Sequence, residues 1–444
     1  MRPSLAKGKP LVRWALVDHF IIRNGELFCE DVALATIARE VGTPAYVYST
    51  ATMRRHAAAL GSALQGLDDP LICYAVKANP NAAVLATLAS EGLGADVVSG
   101  GEYRRARAAG IAPEKIVFSG VGKTEKEMRL ALDGGLFQFN LESLGEVETL
   151  SAVASSMGKV APVAFRVNPD VRAGGHAKIT TGAAENKFGI AIGEAPAAYA
   201  RAAALPGLAV QGVAVHIGSQ LTTLDPLERA FERVGELIGQ LRNAGHDIRV
   251  ADLGGGLGVP YDPDQPPPPS PANYGAMVQR ITAGWDVRLV FEPGRLITGN
   301  AGVLLSRVIR VKPGATHPFI IVDAAMNDLM RPALYDAWHK IDAVNPSGEC
   351  WIANVVGPVC ETGDTFATAR EMDRVEEGDL VVFRTAGAYA AAMSSTYNSR
   401  PLTPEVLVDG ERWAVVRPRI DIDRLIAADR IPDWLGGCAG ADNS

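Results

Sequence analysis

The sequence predicts an α/β protein in which a parallel (β/α)8 barrel is joined to a second, mostly β domain. Between residues 72 and 292, a short β-branched run followed by a helical pattern occurs eight times. After about residue 307, short strand-like runs separated by turn residues replace that alternation. Eight such units are typical of a closed barrel, whereas an open doubly wound sheet rarely contains so many.

The predicted barrel strands are short apolar runs followed by glycine or polar residues. They cover residues 72–77, 95–98, 116–118, 137–140, 163–166, 213–216, 250–253 and 289–292. Ala- and Leu-rich segments of helical length lie between them, for example residues 82–91 and 227–241. The proline-rich residues 265–271 fit the interior of neither a helix nor a strand. We interpret them as a surface insertion after the seventh strand.

The second domain is predicted from short runs at residues 318–322, 351–356, 380–383 and 405–408. Near the N-terminus, Asn24 and Gly25 lie between two apolar runs, as in a β-hairpin. We therefore expect residues 1–48 to pack with the β domain. Residues 49–306 are expected to form the barrel, and residues 307–444 to form the β domain.

Composition restricts the class of protein. Of the 444 residues, 48% are hydrophobic and 21% are charged, which is typical of a soluble globular protein. The net charge of -7 disfavours a nucleic-acid partner, and no apolar stretch is long enough to span a membrane. Asp18 and His19 interrupt the first apolar run, so a signal peptide is not expected. The irregularly spaced cysteines predict no disulfide framework or metal site, and we expect a reducing, cytoplasmic location. They are Cys29, Cys73, Cys350, Cys360 and Cys438.

Polar residues and glycines collect where the predicted barrel strands end. Barrel enzymes build their active sites from the C-terminal ends of these strands, so these residues form a candidate active site. They are Lys77, Asp96, Arg166, His216, Gly254, Gly255, Gly256 and Glu292.

Two of these charged residues allow both a structural and a catalytic interpretation. Lys77 is either a lysine that extends its charge from a strand end to solvent, or a desolvated amine. Desolvation is expected to lower its pKa, which suits Schiff-base chemistry. Glu292 either forms an internal ion pair with Arg295 or holds the protonated nitrogen of a pyridine ring.

The glycine run and the histidine also have two interpretations. Gly254 to Gly256 form either a tight turn or a loop whose backbone N–H groups bind a phosphate. The run is not a dinucleotide motif, because Val259 stands where the last glycine should be. His216 is either a core histidine or, with Ser219 close by, part of a phosphate-side loop.

Taken together, these residues resemble the fold type III decarboxylases that depend on pyridoxal 5′-phosphate (PLP), which combine an alanine-racemase-like barrel with a β domain. The resemblance covers residues 17–418. Ornithine-type relatives share the lysine, histidine, glycines and cysteine, but four further stretches resemble diaminopimelate decarboxylases in particular. They are residues 179–182 with 185–190 (ITTG, ENKFGI), 326–332 with 334–335 (MNDLMRP, LY), 357–364 (GPVCETGD), and 387–389 with 393–401 (GAY, MSSTYNSRP). Residues 174–178 (GGHAK) are a loose version of a loop that often reads Gly-Thr-His-Pro and an aromatic residue.

The resemblance implies decarboxylation of meso-2,6-diaminopimelate to L-lysine and CO2, the last step of lysine biosynthesis. It implies catalytic roles for Lys77, His216 and Cys360, with Lys77 carrying PLP covalently and Cys360 protonating the product carbon. It also implies a homodimer in which Cys360 and Glu361 reach into the partner's site. The residues expected to bind PLP are Lys77, Asp96, His216, Ser219, Gly254, Gly255, Gly256, Glu292, Gly294, Arg295 and Tyr389. Those expected to bind substrate are Arg295, Arg331, Tyr335, Glu361 and Tyr389.

Three alternatives stay open at the level of sequence. The nearest is a decarboxylase of the same fold acting on ornithine, lysine, arginine or carboxynorspermidine, although Arg295 and Arg331 favour a substrate with an anionic far end. A racemase is disfavoured because those relatives usually place an arginine, not a residue like Glu292, at the pyridine nitrogen. A non-catalytic homologue is disfavoured because both Lys77 and Cys360 are present.

Overall fold

The computed structural model describes residues 18–171 and 187–435. The described chain begins with an antiparallel hairpin of β1 (Phe20–Arg23) and β2 (Glu26–Cys29). Asn24 and Gly25 both have positive φ, as a two-residue turn matched to the twist of the strands requires. The predicted hairpin is therefore confirmed. The next elements are β3 (Val32–Ala33), α1 (Leu34–Val41) and β4 (Ala45–Ser49).

Helices and parallel strands then alternate around a closed barrel. In chain order they are α2 (Thr50–Ala63), β5 (Leu71–Ala75), α3 (Ala82–Ser90), β6 (Gly94–Val97), α4 (Gly100–Ala108), β7 (Ile116–Phe118), α5 (Glu125–Gly134), β8 (Gln138–Leu141), α6 (Leu144–Met157), β9 (Ala161–Asn168), β10 (Ile190–Ala191), α7 (Ala195–Ala203), β11 (Leu208–Val215), α8 (Asp225–Asn243), β12 (Val250–Asp252), α9 (Pro271–Ile281), β13 (Arg288–Phe291) and α10 (Arg295–Thr298). The barrel strands pair in the order β9-β11-β12-β13-β5-β6-β7-β8, and β8 pairs back with β9. The short β10 adds to β9. All eight predicted barrel strands are present, which confirms the fold class.

Local sequence signals fix the ends of the barrel helices. Helix α5 begins with a capping box, in which the Thr124 side chain accepts from the N–H of Glu127 and the Glu127 carboxylate accepts from the N–H of Thr124. The helix ends at Gly135, whose left-handed backbone is accessible to glycine at little cost. Phe118 and Phe139 pack between the strands and helices, and each fully buried phenylalanine contributes about 2 kcal/mol. Because the eight strands pair in parallel, their C-terminal ends meet at one rim of the barrel.

The second domain is built around a long strand. Its elements are β14 (Gly302–Lys312), β15 (Phe319–Val322), α11 (Arg331–Tyr335), β16 (Ile341–Ala343), β17 (Cys350–Val356), β18 (Thr365–Asp373), β19 (Leu380–Phe383), β20 (Glu405–Asp409), β21 (Arg412–Arg417) and α12 (Ile422–Ile426). Strand β14 pairs antiparallel with β4, β15 and β19, and β4 pairs in parallel with β20. Phe20 and Leu27 from the hairpin pack in one apolar cluster with Val303, Val382 and Val406.

Two further predictions concern single segments. Residues 265–270 form neither helix nor strand and are exposed or half-buried, as predicted for a surface insertion after β12. Pro271 opens α9, where its missing N–H removes no helical hydrogen bond. Strand β14 crosses the predicted domain boundary at residue 306, and the boundary itself stays a prediction. In the two described ranges, no helix is long and apolar enough to cross a membrane.

Candidate active site

Most of the predicted site residues line one cavity at the C-terminal rim of the barrel. Strands β5, β11, β12 and β13 end beside this cavity, which brings together residues that are far apart in the chain. The predicted residues that line it are Lys77, His216, Ser219, Gly254, Gly255, Gly256, Glu292, Gly294, Arg295 and Tyr389.

Lys77 lies in a short 3-10 turn just after β5, and its side chain enters the cavity. Its Nζ donates to Asp96 Oδ2 at 2.8 Å, and the Asp96 side chain, in β6, is fully buried. The Lys77 side chain keeps 39% of its exposure, so it is accessible from the cavity. The expected lowering of the Lys77 pKa is wrong in this structure. Burial does lower the pKa, but the adjacent Asp96 carboxylate, which is hydrogen-bonded to Lys77 Nζ, outweighs burial and raises it.

His216 follows β11 and connects the cavity to the glycine run. Its Nδ1 accepts a hydrogen bond from the backbone N–H of Gly255 at 3.2 Å. Burial, followed by the positive charges of Arg166 and Lys77, holds the pKa of His216 well below its ordinary value. The imidazole is therefore neutral at physiological pH and adds no charge to the cavity.

The glycines Gly254, Gly255 and Gly256 follow β12 and leave no room for side chains. A Cβ on Gly254 would lie 2.5 Å from the carbonyl oxygen of Val215, and one on Gly255 would lie 2.2 Å from that of Glu292. Gly254 and Gly256 also have positive φ, at 65° and 117°. The run therefore lets the backbone itself form the wall of the cavity, which is the arrangement that binds phosphate groups through N–H donors.

Glu292, the first residue after β13, lies at the bottom of the cavity. It accepts hydrogen bonds at Oε1 from Ser119 Oγ at 3.3 Å and from Asn140 Nδ2 at 3.4 Å. Burial, followed by the negative charges of Asp252 and Asp96, raises the pKa of Glu292 well above its ordinary value. In the described part of the chain, Glu292 forms no ion pair with Arg295. The structural interpretation of this motif is therefore wrong.

Arg295, which lines the cavity, and Arg331, which does not, converge on Tyr261. Arg295 Nη1 donates to the Tyr261 hydroxyl at 2.5 Å, and its Nη2 donates to Ser219 Oγ at 3.0 Å. The Arg331 guanidinium lies 4.5 Å from the centroid of the Tyr261 ring. Although burial alone would raise the pKa of Tyr261, the guanidinium groups of Arg295 and Arg331 lower it. Two buried cations close to one hydroxyl form a site suited to an anionic group.

Arg331 is held by a neutral histidine. Arg331 Nη1 donates to His339 Nε2 at 2.9 Å, and His339 Nδ1 donates to the carbonyl oxygen of Arg384 at 2.8 Å. Burial and the charge of Arg331 lower the pKa of His339 to about 3. Tyr335, four residues after Arg331 on the short helix α11, is half-buried. The structure thus places Arg331 and Tyr335 on one element.

Tyr389 completes the upper wall of the cavity in a left-handed backbone conformation, with φ of 54°. Its N–H donates to the carbonyl oxygen of Ala78, next to Lys77, at 2.8 Å. The Arg295 guanidinium lies 4.8 Å from its ring centroid. Tyr389 therefore connects the lysine side of the cavity with the arginine side.

Cys360 and Glu361 are not brought to the cavity of their own chain. Both lie in the connection between β17 and β18, are exposed, and are absent from the described residues that line the cavity. Tyr397 donates to Glu361 Oε2 at 2.9 Å. Their predicted contribution to a partner's site stays a prediction.

Sequence reasoning missed Asp252, Asn140, Tyr261 and His339. The sequence contained a signal for Asp252, because a carboxylate inside a predicted buried strand indicates a functional role. Tyr261 and His339 belong to segments without a periodic pattern, so no such signal was present. The motif residues 174–178, 179–182 and 185–186 lie outside the described residues.

Comparison with known proteins connects this cavity to a family. Residues 50–299 match the family model of the pyridoxal-dependent decarboxylases, pyridoxal binding domain. The chain is 54% identical to the diaminopimelate decarboxylase of Zymomonas mobilis over 94% of its own length and 99% of the relative's. Two of the similar crystal structures are diaminopimelate decarboxylases in complex with L-lysine. The enzyme from M. jannaschii has a TM-score of 0.91 at 34% identity and covers 94% of this chain and 99% of that one. The enzyme from Helicobacter pylori has a TM-score of 0.86 at 37% identity and covers 89% and 98%.

These relatives match both domains, and the match to the family model covers the strands that carry Lys77, His216, Glu292 and the glycine run. Both the sequence and the arrangement of the cavity therefore lead to the same assignment: the chain belongs to the diaminopimelate decarboxylases, a family of pyridoxal-dependent carboxy-lyases.

Proposed function

We propose that the protein removes one carboxyl group of meso-2,6-diaminopimelate as CO2 and produces L-lysine, with PLP as its cofactor. The observation that carries this proposal is the pair of buried guanidinium groups of Arg295 and Arg331 around Tyr261. Diaminopimelate has an amine and a carboxylate at each end. A site that binds its far carboxylate beside a reactive lysine discriminates it from simple diamino acids.

The cavity fits PLP in three respects. Lys77 is an accessible amine, the tightly packed glycines offer only backbone at one wall, and Glu292 is a buried carboxyl group at the bottom. Asp96 Oδ1, on the carboxylate that holds Lys77, is buried without a hydrogen-bond partner in this structure, so polar groups next to the cavity are incompletely satisfied. Lys77 would hold the aldehyde carbon, the glycine run with Ser219 the phosphate, and Glu292 the ring nitrogen. When bound, PLP supplies an electron sink for the charge that remains when CO2 leaves.

Residues of the protein position the reacting groups and supply the proton that the product needs. Asp96 holds the Lys77 ammonium at 2.8 Å and so fixes the amine at the rim. Tyr389 and Ser219 contact Arg295, which orients its guanidinium toward the cavity. The carbon that loses CO2 must gain a proton, and we assign that proton to the thiol of Cys360 from the partner chain.

The nearest alternative is decarboxylation of ornithine, lysine or arginine by the same fold. Those substrates carry a cation at their far end, and the buried charges of Arg295 and Arg331 would repel it. Carboxynorspermidine has a carboxylate at one end only. The described arginine pair favours diaminopimelate over each of them.

We propose that the protein acts as a homodimer in the cytoplasm. The exposure of Cys360 and Glu361, which the proposed chemistry requires near Lys77, supports the shared site. The described cysteines Cys29, Cys73, Cys350 and Cys360 form no disulfide among themselves, which supports a reducing compartment.

The direct test is release of CO2 by the purified protein from meso-diaminopimelate, L-lysine and L-ornithine in parallel. We expect turnover of meso-diaminopimelate, with L-lysine as product, and at most about 1% of that kcat/KM with the other two. Comparable turnover of ornithine would contradict the assigned role of the arginine pair. Absence of CO2 release from all three would contradict the proposed reaction.

A further inference from the structure

Two carboxyl groups lie side by side below the cavity, on neighbouring strands. Asp252 ends β12, and Glu292 directly follows β13, which pairs with β12. Both side chains are buried, and both accept a hydrogen bond from the same amide group. One amide nitrogen, Asn140 Nδ2, donates to Asp252 Oδ2 at 2.8 Å and to Glu292 Oε1 at 3.4 Å. Two carboxyl groups that share one amide donor lie close to each other, and a proton on one of them allows them to bond directly.

The proton belongs to Glu292. Asp252 also accepts the backbone N–H of Gly254 at 2.9 Å, and together with the short bond from Asn140 this stabilises its anion. Among the residues that the structure describes, Glu292 accepts the longer bonds from Ser119 and Asn140 alone. Without a cation bound beside them, two buried neighbouring carboxylates do not both ionise, and they share one proton instead.

The other titratable groups that face the pair leave this assignment unchanged. Asp96 on β6 adds a third carboxylate, and its ion-pair partner Lys77 after β5 balances it. Burial raises the pKa of the Cys73 thiol on β5 and of the Tyr274 hydroxyl on α9, so both groups are neutral. The pair therefore carries one proton and one negative charge.

We propose that Asp252 is a positioning residue that acts through Glu292. Because Asp252 adds a second negative charge, the pair gives its shared proton to the ring nitrogen of the cofactor, and the same charge keeps the proton on that nitrogen. In this proton transfer the O–H bond of Glu292 breaks and an N–H bond forms on the ring nitrogen. Asp252 remains the anion that Asn140 and Gly254 hold. The inference rests on the proposed function, since it requires that PLP occupies the cavity with its nitrogen at Glu292. It adds Asp252, as a second carboxylate, to Glu292 in controlling the protonation of the ring nitrogen.

The first test follows the ring nitrogen itself. Holoenzyme reconstituted with ¹⁵N-labelled PLP is titrated with base, and the ¹⁵N chemical shift reports whether the nitrogen is protonated. In Asp252→Asn we expect the nitrogen to lose its proton at a pH about one unit or more below that in the wild type, because one neighbouring charge is gone. Ser119→Ala is the matched control: it removes a hydrogen bond to Glu292 but no charge, so its midpoint should stay near the wild-type value. Equal midpoints in Asp252→Asn and the wild type would overturn the inference.

A second test uses the unaltered chain, in case Asp252→Asn binds no cofactor. With a 1-deaza analogue of PLP, which has carbon in place of the ring nitrogen, the pair must keep its proton. The infrared C=O stretch of a protonated carboxyl group, assigned by its loss in Glu292→Gln, should be present with the analogue and absent with PLP. The same spectrum with both cofactors would overturn the inference.

The two proposals fail in different ways. A protein that binds no PLP, or releases no CO2 from meso-diaminopimelate, contradicts the proposed function. An active holoenzyme whose Asp252→Asn variant titrates like the wild type contradicts the role of Asp252 alone.

Discussion

The cavity at the mouth of the barrel and the loop of residues 357–364 in the β domain both contain candidate site residues, but they differ in exposure. In the cavity, Lys77 and Glu292 are bonded to partners of the same chain. In the loop, Cys360 and Glu361 are exposed, although the loop is firmly anchored. The buried carboxylate of Asp364 accepts the N–H groups of Met326 at 2.6 Å and Val359 at 2.7 Å. One chain thus builds a buried cavity in the barrel and an anchored loop whose Cys360 and Glu361 lie away from that cavity.

Because of this difference, residues of the cavity and residues of the loop should respond differently to substitution. Substitutions in the cavity should alter cofactor chemistry in every subunit that carries them. Substitutions in the loop should leave cofactor binding intact and affect only the neighbouring site. The following predictions test this separation, from the largest expected effect to the smallest.

Lys77→Ala should abolish measurable turnover, because it removes the amine that we propose anchors the cofactor. Borohydride reduction of the wild-type holoenzyme followed by peptide mapping should place the pyridoxyl label on Lys77. The exposed Lys340, replaced by alanine, is the control and should retain activity and label. A label on a different lysine would contradict the assignment of the cavity.

Glu292→Gln should reduce kcat by about 10² to 10³-fold while PLP stays bound, because a neutral amide no longer stabilises a positive ring nitrogen. Steady-state kinetics together with the absorption spectrum of the cofactor measure both effects. Normal turnover with an unchanged spectrum would mean that Glu292 has only a structural role.

Cys360→Ala should lower kcat by about 10²-fold with normal PLP affinity, as expected for loss of a general acid. Cys350→Ser is a suitable control, because Cys350 is another exposed thiol of the same domain. It should change kcat less than about twofold, since an exposed residue outside the site contributes little. Equal effects of the two substitutions would mean that Cys360 takes no part in the reaction.

Arg331→Lys should raise KM for meso-diaminopimelate by about tenfold and change kcat less. Lysine keeps the charge but loses the planar contacts with His339 and Tyr261, and a lost charged hydrogen bond costs about 1.5–3 kcal/mol. Arg310→Lys, in an exposed ion pair with Glu377, is the control and should leave KM unchanged. A tenfold fall in kcat at constant KM would place Arg331 in the chemical step instead.

The barrel and its rim were predictable because they depend on local patterns. Each predicted strand is present, and Lys77, His216 and Glu292 meet because parallel strands place their C-terminal ends on one rim. The pKa direction of Lys77 was not predictable, because it depends on the position of Asp96 across two paired strands. The same holds for the contact of Asp252 with Glu292. Tyr261 follows no periodic pattern, and only the folded chain shows that two arginines converge on it.

Subunit mixing tests most directly whether the cavity and the loop of different chains form one site. Lys77→Ala and Cys360→Ala, each with low or no activity alone, are mixed in equal amounts under conditions of verified subunit exchange. Random exchange gives mixed dimers in about half of the molecules, and each has one intact site. The account therefore predicts recovery of about a quarter of the wild-type activity. No recovery would mean that Lys77 and Cys360 act within one chain, or that Cys360 takes no part in the reaction.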